Sequence, residues 1–148
     1  MKKTMTYITL EFLSRSSTEA FARTAVACFA AQMDPTLGEL EDIKTAVSEA
    51  VTNAIVHGYP NVLGKVLVKA KICEGNVLEV SVKDRGRGIP DVEKARQPMF
   101  TTGGEERSGM GFTIMESFMD HIAVKSVPGK GTTVTLRKKL APRRRQTA

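Results

Sequence analysis

The chain has 148 residues, enough for one domain that buries a core without help from metals or disulfides. Hydrophobic residues make up 41% and charged residues 26% of it, and no apolar run approaches the ~20 residues needed to cross a bilayer, which argues against a membrane protein. The net charge of +6 does not indicate a nucleic-acid-binding body, because residues 137–148 hold six basic side chains and no acid, so that residues 1–136 are formally neutral.

The first half of the chain predicts one strand and two helices. Residues 4–13 alternate apolar with polar side chains, which is the pattern of a half-buried strand. Residues 16–32 have helical spacing, and their expected apolar face consists of Phe21, Ala25, Cys28 and Phe29. A break at residues 34–36 opens a longer helix that we expect to end near residue 58.

The second half of the chain alternates strand and helix signals. Strands at 65–72 and 77–83 are joined by a short turn and predict a hairpin. The remaining elements, in chain order, are a glycine-rich loop at 84–90, a short helix at 91–96, a mobile segment at 97–109, a helix at 112–119 and strands at 122–126 and 132–138. Because the strands come in adjacent pairs, we expect an α+β fold, a two-layer sandwich whose mixed, mostly antiparallel sheet carries helices on one face.

The end of the chain differs from the rest in composition. We expect residues 1–139 to form one domain and residues 140–148 a basic, disordered tail that follows the break at Ala141-Pro142. A nucleic-acid binder would depend on this tail alone, since the chain has no Trp and only two Tyr to interleave with basic residues.

Cysteine usage and the start of the chain bear on its compartment. The first residues lack the apolar core of a signal peptide, and Cys28 and Cys73 form no CxxC motif. We therefore expect two reduced, buried thiols and a cytoplasmic location.

Polar side chains mark one edge of the second helix. Glu49 and Asn53 are four residues apart, so they project from the same face about one turn from each other. That face is offset from the apolar stripe that contains Val47 and Val51. By itself such a pair is most typical of a solvated helix face.

Three further motifs change that interpretation. The sequence DRGRG at 84–88 follows a strand, where an acid can accept hydrogen bonds from a ligand's amine and two glycines let the backbone approach a flat group. The sequence SGMG at 108–111 precedes a helix, whose free N–H groups and dipole suit phosphate oxygens, although no Walker loop occurs. The sequence GTT at 131–133 enters the last strand, where a hydroxyl can support the Asp84 carboxylate or a ligand amine.

In this order, the motifs resemble the N, G1 and G2 boxes and the late threonine of the GHKL ATPase superfamily, which includes histidine kinases, gyrase-type topoisomerases and Hsp90-type chaperones. The strings SEAVTNAIVHGY at 48–59 and ERSGMGFTIME at 106–116 resemble, more narrowly, the sporulation anti-sigma factors of endospore-forming bacteria, which are serine-protein kinases. The similarity runs from about residue 5 to residue 139. The chain lacks the phospho-accepting helix of a histidine kinase and the transducer domain of a topoisomerase, so we expect a stand-alone module.

The resemblance implies a site for ATP or ADP. Asp84 would accept hydrogen bonds from the adenine amine, Gly86 and Gly88 would lie against the base, and Thr133 would support it. Two arginines, Arg85 and Arg87, make this loop more basic than the family leads us to expect; they either strengthen triphosphate binding or are surface charges.

The resemblance also implies how the phosphates are held. Asn53 would bind Mg²⁺ through a neutral oxygen, and Ser108, Gly109 and Gly111 would hold the phosphates through backbone N–H groups. Glu49 would be the base that takes the proton from a serine hydroxyl attacking the γ-phosphate. The segment at 97–109 would close over the triphosphate as a lid, and which of its residues meets the γ-phosphate stays open.

The partners follow from the same resemblance. It implies a sporulation sigma factor of the sigma F type as the inhibited partner and an anti-anti-sigma factor as the phosphorylation substrate, with Arg23 at a partner contact. It also implies a homodimer that uses the N-terminal strand and helix, with neither a membrane nor direct nucleic acid as a partner. The alternative is a nucleotide-dependent binding module for a stress-response-type sigma factor, without efficient kinase turnover.

Overall fold

The computed structural model describes residues 3–96 and 111–141. Their strands form one sheet and are β1 Thr4–Leu13, β2 Lys65–Cys73, β3 Val77–Asp84, β4 His121–Val127 and β5 Gly131–Lys139. The strand order is β1-β2-β3-β5-β4, and each neighbouring pair of these strands is antiparallel. The expected α+β sandwich is confirmed. The sheet differs in one respect, since it is antiparallel throughout the described residues rather than mixed.

Four α-helices accompany the sheet in the described residues. They are α1 Glu19–Ala30, α2 Leu37–Asn53, α3 Val92–Ala95 and α4 Gly111–Phe118. Single 3₁₀ turns flank α1, and α2 continues as one π-helical turn, Ala54–Gly58. The expected mobile segment at 97–109 lies outside the described residues.

The core lies between the helices and one face of the sheet. On β2, Val66 and Ala70 are fully buried, whereas the alternating Lys69 is only partly buried. On α2, Ile43 and Val47 are fully buried against that apolar face. This alternation between one packed and one solvated face is typical of antiparallel sheets, and it leaves α2 lying across the sheet with one edge available for polar side chains.

The apolar face of α1 is predicted only in part: Phe29 is buried in the core as expected, whereas Phe21 and Cys28 are not. Ala22 and Val26 are fully buried, while Phe21 is 63% exposed and Cys28 is exposed too. The helix is rich in alanine, so small side chains on a neighbouring stripe let it pack closely, and Phe21 turns outward. Cys73 is buried as expected, so the expectation of two buried thiols is wrong for Cys28 alone.

The domain extends two residues beyond the predicted boundary at 139. Leu140 is 1% exposed and belongs to the core, and its backbone N–H donates to the Asn76 carbonyl. Thr36 and Glu39 form a capping box that opens α2, and the other Glu39 carboxylate oxygen accepts a hydrogen bond from the Ala141 N–H at 3.0 Å. The rest of the predicted tail, residues 142–148, lies outside the described residues.

Candidate functional site

A cavity of about 430 Å³ opens between α2, α4 and the sheet. Its volume lies within the range that small-molecule sites occupy. The apolar part of its wall comes from Ala50, Ala54, Val82, Ile89, Phe112 and Val134, and its polar part includes Asn53, His57, Asp84, Lys94 and Thr132. Mostly apolar walls with a few convergent polar groups are the usual composition of a binding site for a flat organic ligand.

Asp84 supplies a buried hydrogen-bond acceptor to this cavity. It is the last residue of β3 and is only 5% exposed. Burial raises the pKa of its carboxyl group, and hydrogen bonds from the backbone N–H groups of Gly86 and Thr132 partly offset that rise. The Gly86 N–H lies 2.9 Å from Oδ1. Two backbone donors hold the carboxylate in place, and its remaining lone pairs can accept from a ligand.

Close packing explains two of the glycines around Asp84. A methyl group at Gly58 would lie 2.8 Å from the Asp84 carboxyl carbon, and one at Gly86 would lie 1.9 Å from the Gly58 carbonyl oxygen. The π-helical turn that follows Asn53 thus brings the end of the long helix against the loop after β3. Gly86 is required here by contact with protein backbone and does not line the cavity.

Gly88 does line the cavity, and its backbone requires glycine. Its φ is +77°, and a methyl group on it would lie 2.4 Å from the Val127 carbonyl oxygen. Both the left-handed conformation and the absence of space exclude a side chain.

The threonine that reaches the cavity is Thr132, whereas Thr133 was expected there. Thr132 pairs with Asp84 across β3 and β5, is 8% exposed, and lines the cavity. Side chains alternate along a strand, so Thr133, which pairs with Lys83, belongs to the opposite face of the sheet. The sequence offered two adjacent threonines, and only the register of β5 against β3 decides between them.

Glu49 and Asn53 lie beside Gly111, and of these three residues Asn53 and Gly111 line the cavity. Gly111 opens α4, and a methyl group on it would lie 3.3 Å from both Asn53 side-chain atoms, Oδ1 and Nδ2, and 3.4 Å from Glu49 Oε2. The predicted pair on α2 therefore faces the start of α4 and not open solvent. Ser108 and Gly109 lie outside the described residues.

Two residues around the site were not identified from the sequence. Tyr59 donates its hydroxyl proton to the Lys65 carbonyl at 2.7 Å and accepts from the Arg85 N–H at 2.7 Å, so it ties the loop after β3 to β2. Ser126 on β4 hydrogen-bonds with the Ile89 N–H and with Thr132. No sequence motif indicates either residue, because the hydrogen bonds of each join segments that are distant in the chain.

The two loop arginines and Arg23 occupy different surroundings. Arg87 donates from Nε to the His57 carbonyl at 2.9 Å and from its backbone N–H to the Gly58 carbonyl, which fixes the loop to the end of the long helix. Arg85 is exposed. Arg23 lies on α1, away from the cavity, with its Nε 3.6 Å from Glu19 Oε2. The sequence left open whether the loop arginines strengthen triphosphate binding or are surface charges. The contacts of Arg87 show that it helps to hold the loop against the end of the long helix.

Residues 3–96 and 111–141 hold neither a metal-binding cluster nor a membrane-spanning helix. They contain no group of three or more His, Cys, Asp or Glu side chains that could together hold a metal ion. Their helices are all too short or too polar to cross a membrane.

Comparison with known sequences points to one family. A family model described as a histidine kinase-like ATPase domain matches residues 13–138. The anti-sigma F factor of Thermoanaerobacter sp. (strain X514) is 60% identical over 130 residues, which are 87% of this chain and 90% of that protein. The anti-sigma F factor of Geobacillus kaustophilus (strain HTA426) is 58% identical over 133 residues, or 89% of this chain and 91% of that one.

Solved structures share the same fold at low identity. A Mycobacterium tuberculosis protein containing RsbU and RsbW domains matches with a TM-score of 0.67 and 21% identity, over 92% of this chain and 32% of that chain. A mycobacterial sensor histidine kinase matches with a TM-score of 0.56 and 21% identity, over 70% of this chain and 74% of that chain.

Proposed function

Because the chain belongs to the histidine kinase-like ATPase domains and, among them, to the anti-sigma F factors, we propose that it is an ATP-dependent serine-protein kinase that inhibits a sigma factor. In its ATP state it holds a sporulation sigma factor of the sigma F type in the cytoplasm. An anti-anti-sigma factor displaces that sigma factor and is phosphorylated on serine.

One observation carries this proposal. A single cavity is lined by a buried carboxylate, Asp84, and by Asn53 and the helix start at Gly111, with Glu49 beside Gly111. A purine amine needs an acceptor in apolar surroundings, and a triphosphate needs backbone N–H groups and a metal ligand. The two requirements are met within one cavity.

The base would occupy the end of the cavity near Asp84. The carboxylate accepts from the exocyclic amine, and Ile89 and Val134 provide apolar surface on which a ring can lie. The phosphates would then extend toward Asn53 and the start of α4 at Gly111, because the first-turn N–H groups of a helix have no partner within the helix and favour anions. Lys94, which also lines the cavity, adds positive charge along this path.

Mg²⁺ fits the residues that are present. Magnesium keeps several of its waters and shares phosphate oxygens, so one neutral amide oxygen from Asn53 is a sufficient protein ligand. When bound, the ion would neutralise charge on the phosphates.

Glu49 is proposed as the base. Its carboxylate lies one helical turn from Asn53 on the same rigid helix, and it faces the start of α4. It takes the proton from the serine hydroxyl of the substrate while that oxygen bonds to the γ-phosphorus, and the bond to the bridging oxygen breaks to release ADP. The products are phosphoserine, ADP and a protonated carboxyl group, which returns its proton to water.

The surface of α1 is proposed as the partner contact. Arg23 and the exposed Phe21 are both on this helix, but two residues apart they project from different faces, so the proposed contact is assigned to the Arg23 face alone. The homodimer is proposed to form through β1 and α1, where β1 is an edge strand of the sheet.

The experiment that tests the catalytic assignment is Glu49→Gln, with Glu41→Gln on the same helix as the matched control. Phosphate transfer from γ-labelled ATP to a purified anti-anti-sigma factor should fall by roughly 10²–10⁴-fold in Glu49→Gln, while the Kd for ATP stays within a few-fold. Glu41 is exposed and pairs only with Lys44 at 3.4 Å among described residues, so its variant should keep both properties.

Transfer at the wild-type rate in Glu49→Gln would remove Glu49 as the base. Wild-type protein that captures a sigma factor only with ATP, but transfers no phosphate, would instead identify the nucleotide-dependent binding module.

A further inference from the structure

Ser126 forms three hydrogen bonds at the back of the cavity. Its Oγ accepts from the Ile89 N–H at 2.7 Å, lies 3.1 Å from the Gly131 carbonyl oxygen, and lies 2.8 Å from Thr132 Oγ1. Ser126 is on β4 and is half-buried, so it contacts the loop after β3 and the start of β5 at once.

The single proton of the Ser126 hydroxyl determines the direction of its three hydrogen bonds. A serine hydroxyl has one proton and two lone pairs. The Ile89 N–H occupies one lone pair, and the Gly131 carbonyl can only accept, so it takes the serine proton. The remaining bond then requires Thr132 to donate to Ser126. This is the one arrangement in which all three contacts are hydrogen bonds.

The direction matters because of where Thr132 lies. Its own proton is used toward Ser126, so the lone pairs of its hydroxyl are what it can offer to a ligand. Its backbone N–H donates to the Asp84 carboxylate, and both residues line the cavity. Two acceptors therefore stand side by side, and a ligand group with two N–H donors satisfies both, whereas a carbonyl oxygen would meet lone pairs only.

From this geometry we infer that Ser126 is a positioning residue that fixes the Thr132 hydroxyl as an acceptor and thereby makes the site select a 6-amino purine over a 6-oxo purine. The inference rests on the proposed nucleotide site and adds to it the determinant of base choice. Ser126 need not touch the nucleotide, because it acts through Thr132.

The test compares ATP with inosine triphosphate, whose purine carries an oxygen in place of the amine. Their Kd values are measured by calorimetry for the wild type, Ser126→Ala, Ser126→Thr and Ser81→Ala. Ser81 is a half-buried strand serine that pairs with Thr135 on the opposite face of the sheet, which makes it the matched control.

Loss of the Ser126 hydroxyl frees Thr132 to rotate and to donate to the 6-oxo group. The wild type should prefer ATP by about tenfold or more. Ser126→Ala should lower that preference by about threefold or more, chiefly through tighter inosine triphosphate binding, and the Asp84 carboxylate should maintain the remainder. Ser126→Thr, which keeps a hydroxyl, should retain most of the preference, and Ser81→Ala all of it.

An equal loss of affinity for both nucleotides in Ser126→Ala would overturn the inference, since it would show that Ser126 only anchors the loop through Ile89. An unchanged ratio would overturn it as well. If Ser126→Ala does not fold, Thr132→Val provides the same comparison. It removes one of the two acceptors and should lower the preference by about threefold or more, and an unchanged preference there refutes the inference. Wild-type protein that binds neither nucleotide would refute the proposed function itself, and this inference with it.

Discussion

The contact between Gly58 and Asp84 predicts that Gly58→Ala will weaken nucleotide binding without removing any polar group. The added methyl would lie 2.8 Å from Asp84 Cγ and Oδ1 and 3.0 Å from Oδ2. Carbon contacts normally begin near 3.5 Å, so the carboxylate has to retreat by roughly 0.5–0.7 Å. Gly86 cannot follow it, because Gly86 is itself packed against the Gly58 carbonyl.

The expected cost has two parts. Overpacking of a well-filled site typically costs about 1–3 kcal/mol of unfolding free energy. Misplacing a charged acceptor removes about 1.5–3 kcal/mol from binding, which weakens the Kd for ADP or ATP by roughly tenfold to more than hundredfold. Calorimetric titration measures the second quantity, and urea denaturation measures the first.

Gly38→Ala on the same helix is the matched control. The nearest atom to a methyl group at Gly38 is Thr36 Oγ1 at 3.9 Å, so the substitution meets no steric obstacle. It should raise stability by at most about 1 kcal/mol through helix propensity and leave nucleotide affinity unchanged. Wild-type affinity and wild-type stability in Gly58→Ala would contradict the proposal that this close approach positions Asp84.

The further predictions concern Asp84 in the cavity, Tyr59 beside it, and Glu39 at the start of α2. Asp84→Asn should weaken ATP binding by about 1.5–3 kcal/mol in a calorimetric titration. Burial raises the pKa of the Asp84 carboxyl group in the folded protein. The stability that this group contributes is therefore complete below its unfolded pKa and is lost as the pH rises through its folded pKa. In urea denaturation, the unfolding free energy of Asp84→Asn should fall less over that pH range than that of the wild type. Tyr59→Phe should remove the hydroxyl that accepts from the exposed Arg85 N–H, cost about 0.5–1.5 kcal/mol of stability, and speed exchange of that amide proton. Although partial burial acts against it, hydrogen bonding from Thr36 and from the Ala141 N–H lowers the pKa of Glu39. Its stabilising effect is therefore present above the ordinary glutamate value of 4.5 and is lost as pH falls through the folded pKa, and Glu39→Gln should be less stable than Glu41→Gln near pH 7 and should converge with it in acid.

The sequence predicted the elements well because each depends on local patterns. The alternation of apolar and polar side chains in β1 and the chain break before α2 both depend on neighbouring residues. The structure has β1 and the start of α2 where they were expected. The apolar face of α1 was misjudged because alanine fits either a buried or an exposed stripe. Only packing against the sheet decides which stripe is covered, and it buries Ala22 and exposes Phe21.

The candidate site was predictable in part for the same reason. Glu49 and Asn53 are one turn apart on a helix, so their shared face follows from spacing alone. The choice of Thr132 over Thr133 depends on how β5 pairs with β3, and the parts played by Tyr59 and Ser126 depend on contacts across the sheet. Such contacts join residues far apart in the chain, and a single sequence does not record them.

The hydrogen bond between Glu39 and the Ala141 N–H links the start of α2 to the C-terminal end of the described chain. A truncation after residue 139 would delete this bond and the buried Leu140 together. The damage would begin at the end of α2 opposite Glu49 and Asn53, yet one rigid helix connects the two ends. Shortened versions of this protein, or tags fused in place of its last residues, should therefore retain everything through Ala141.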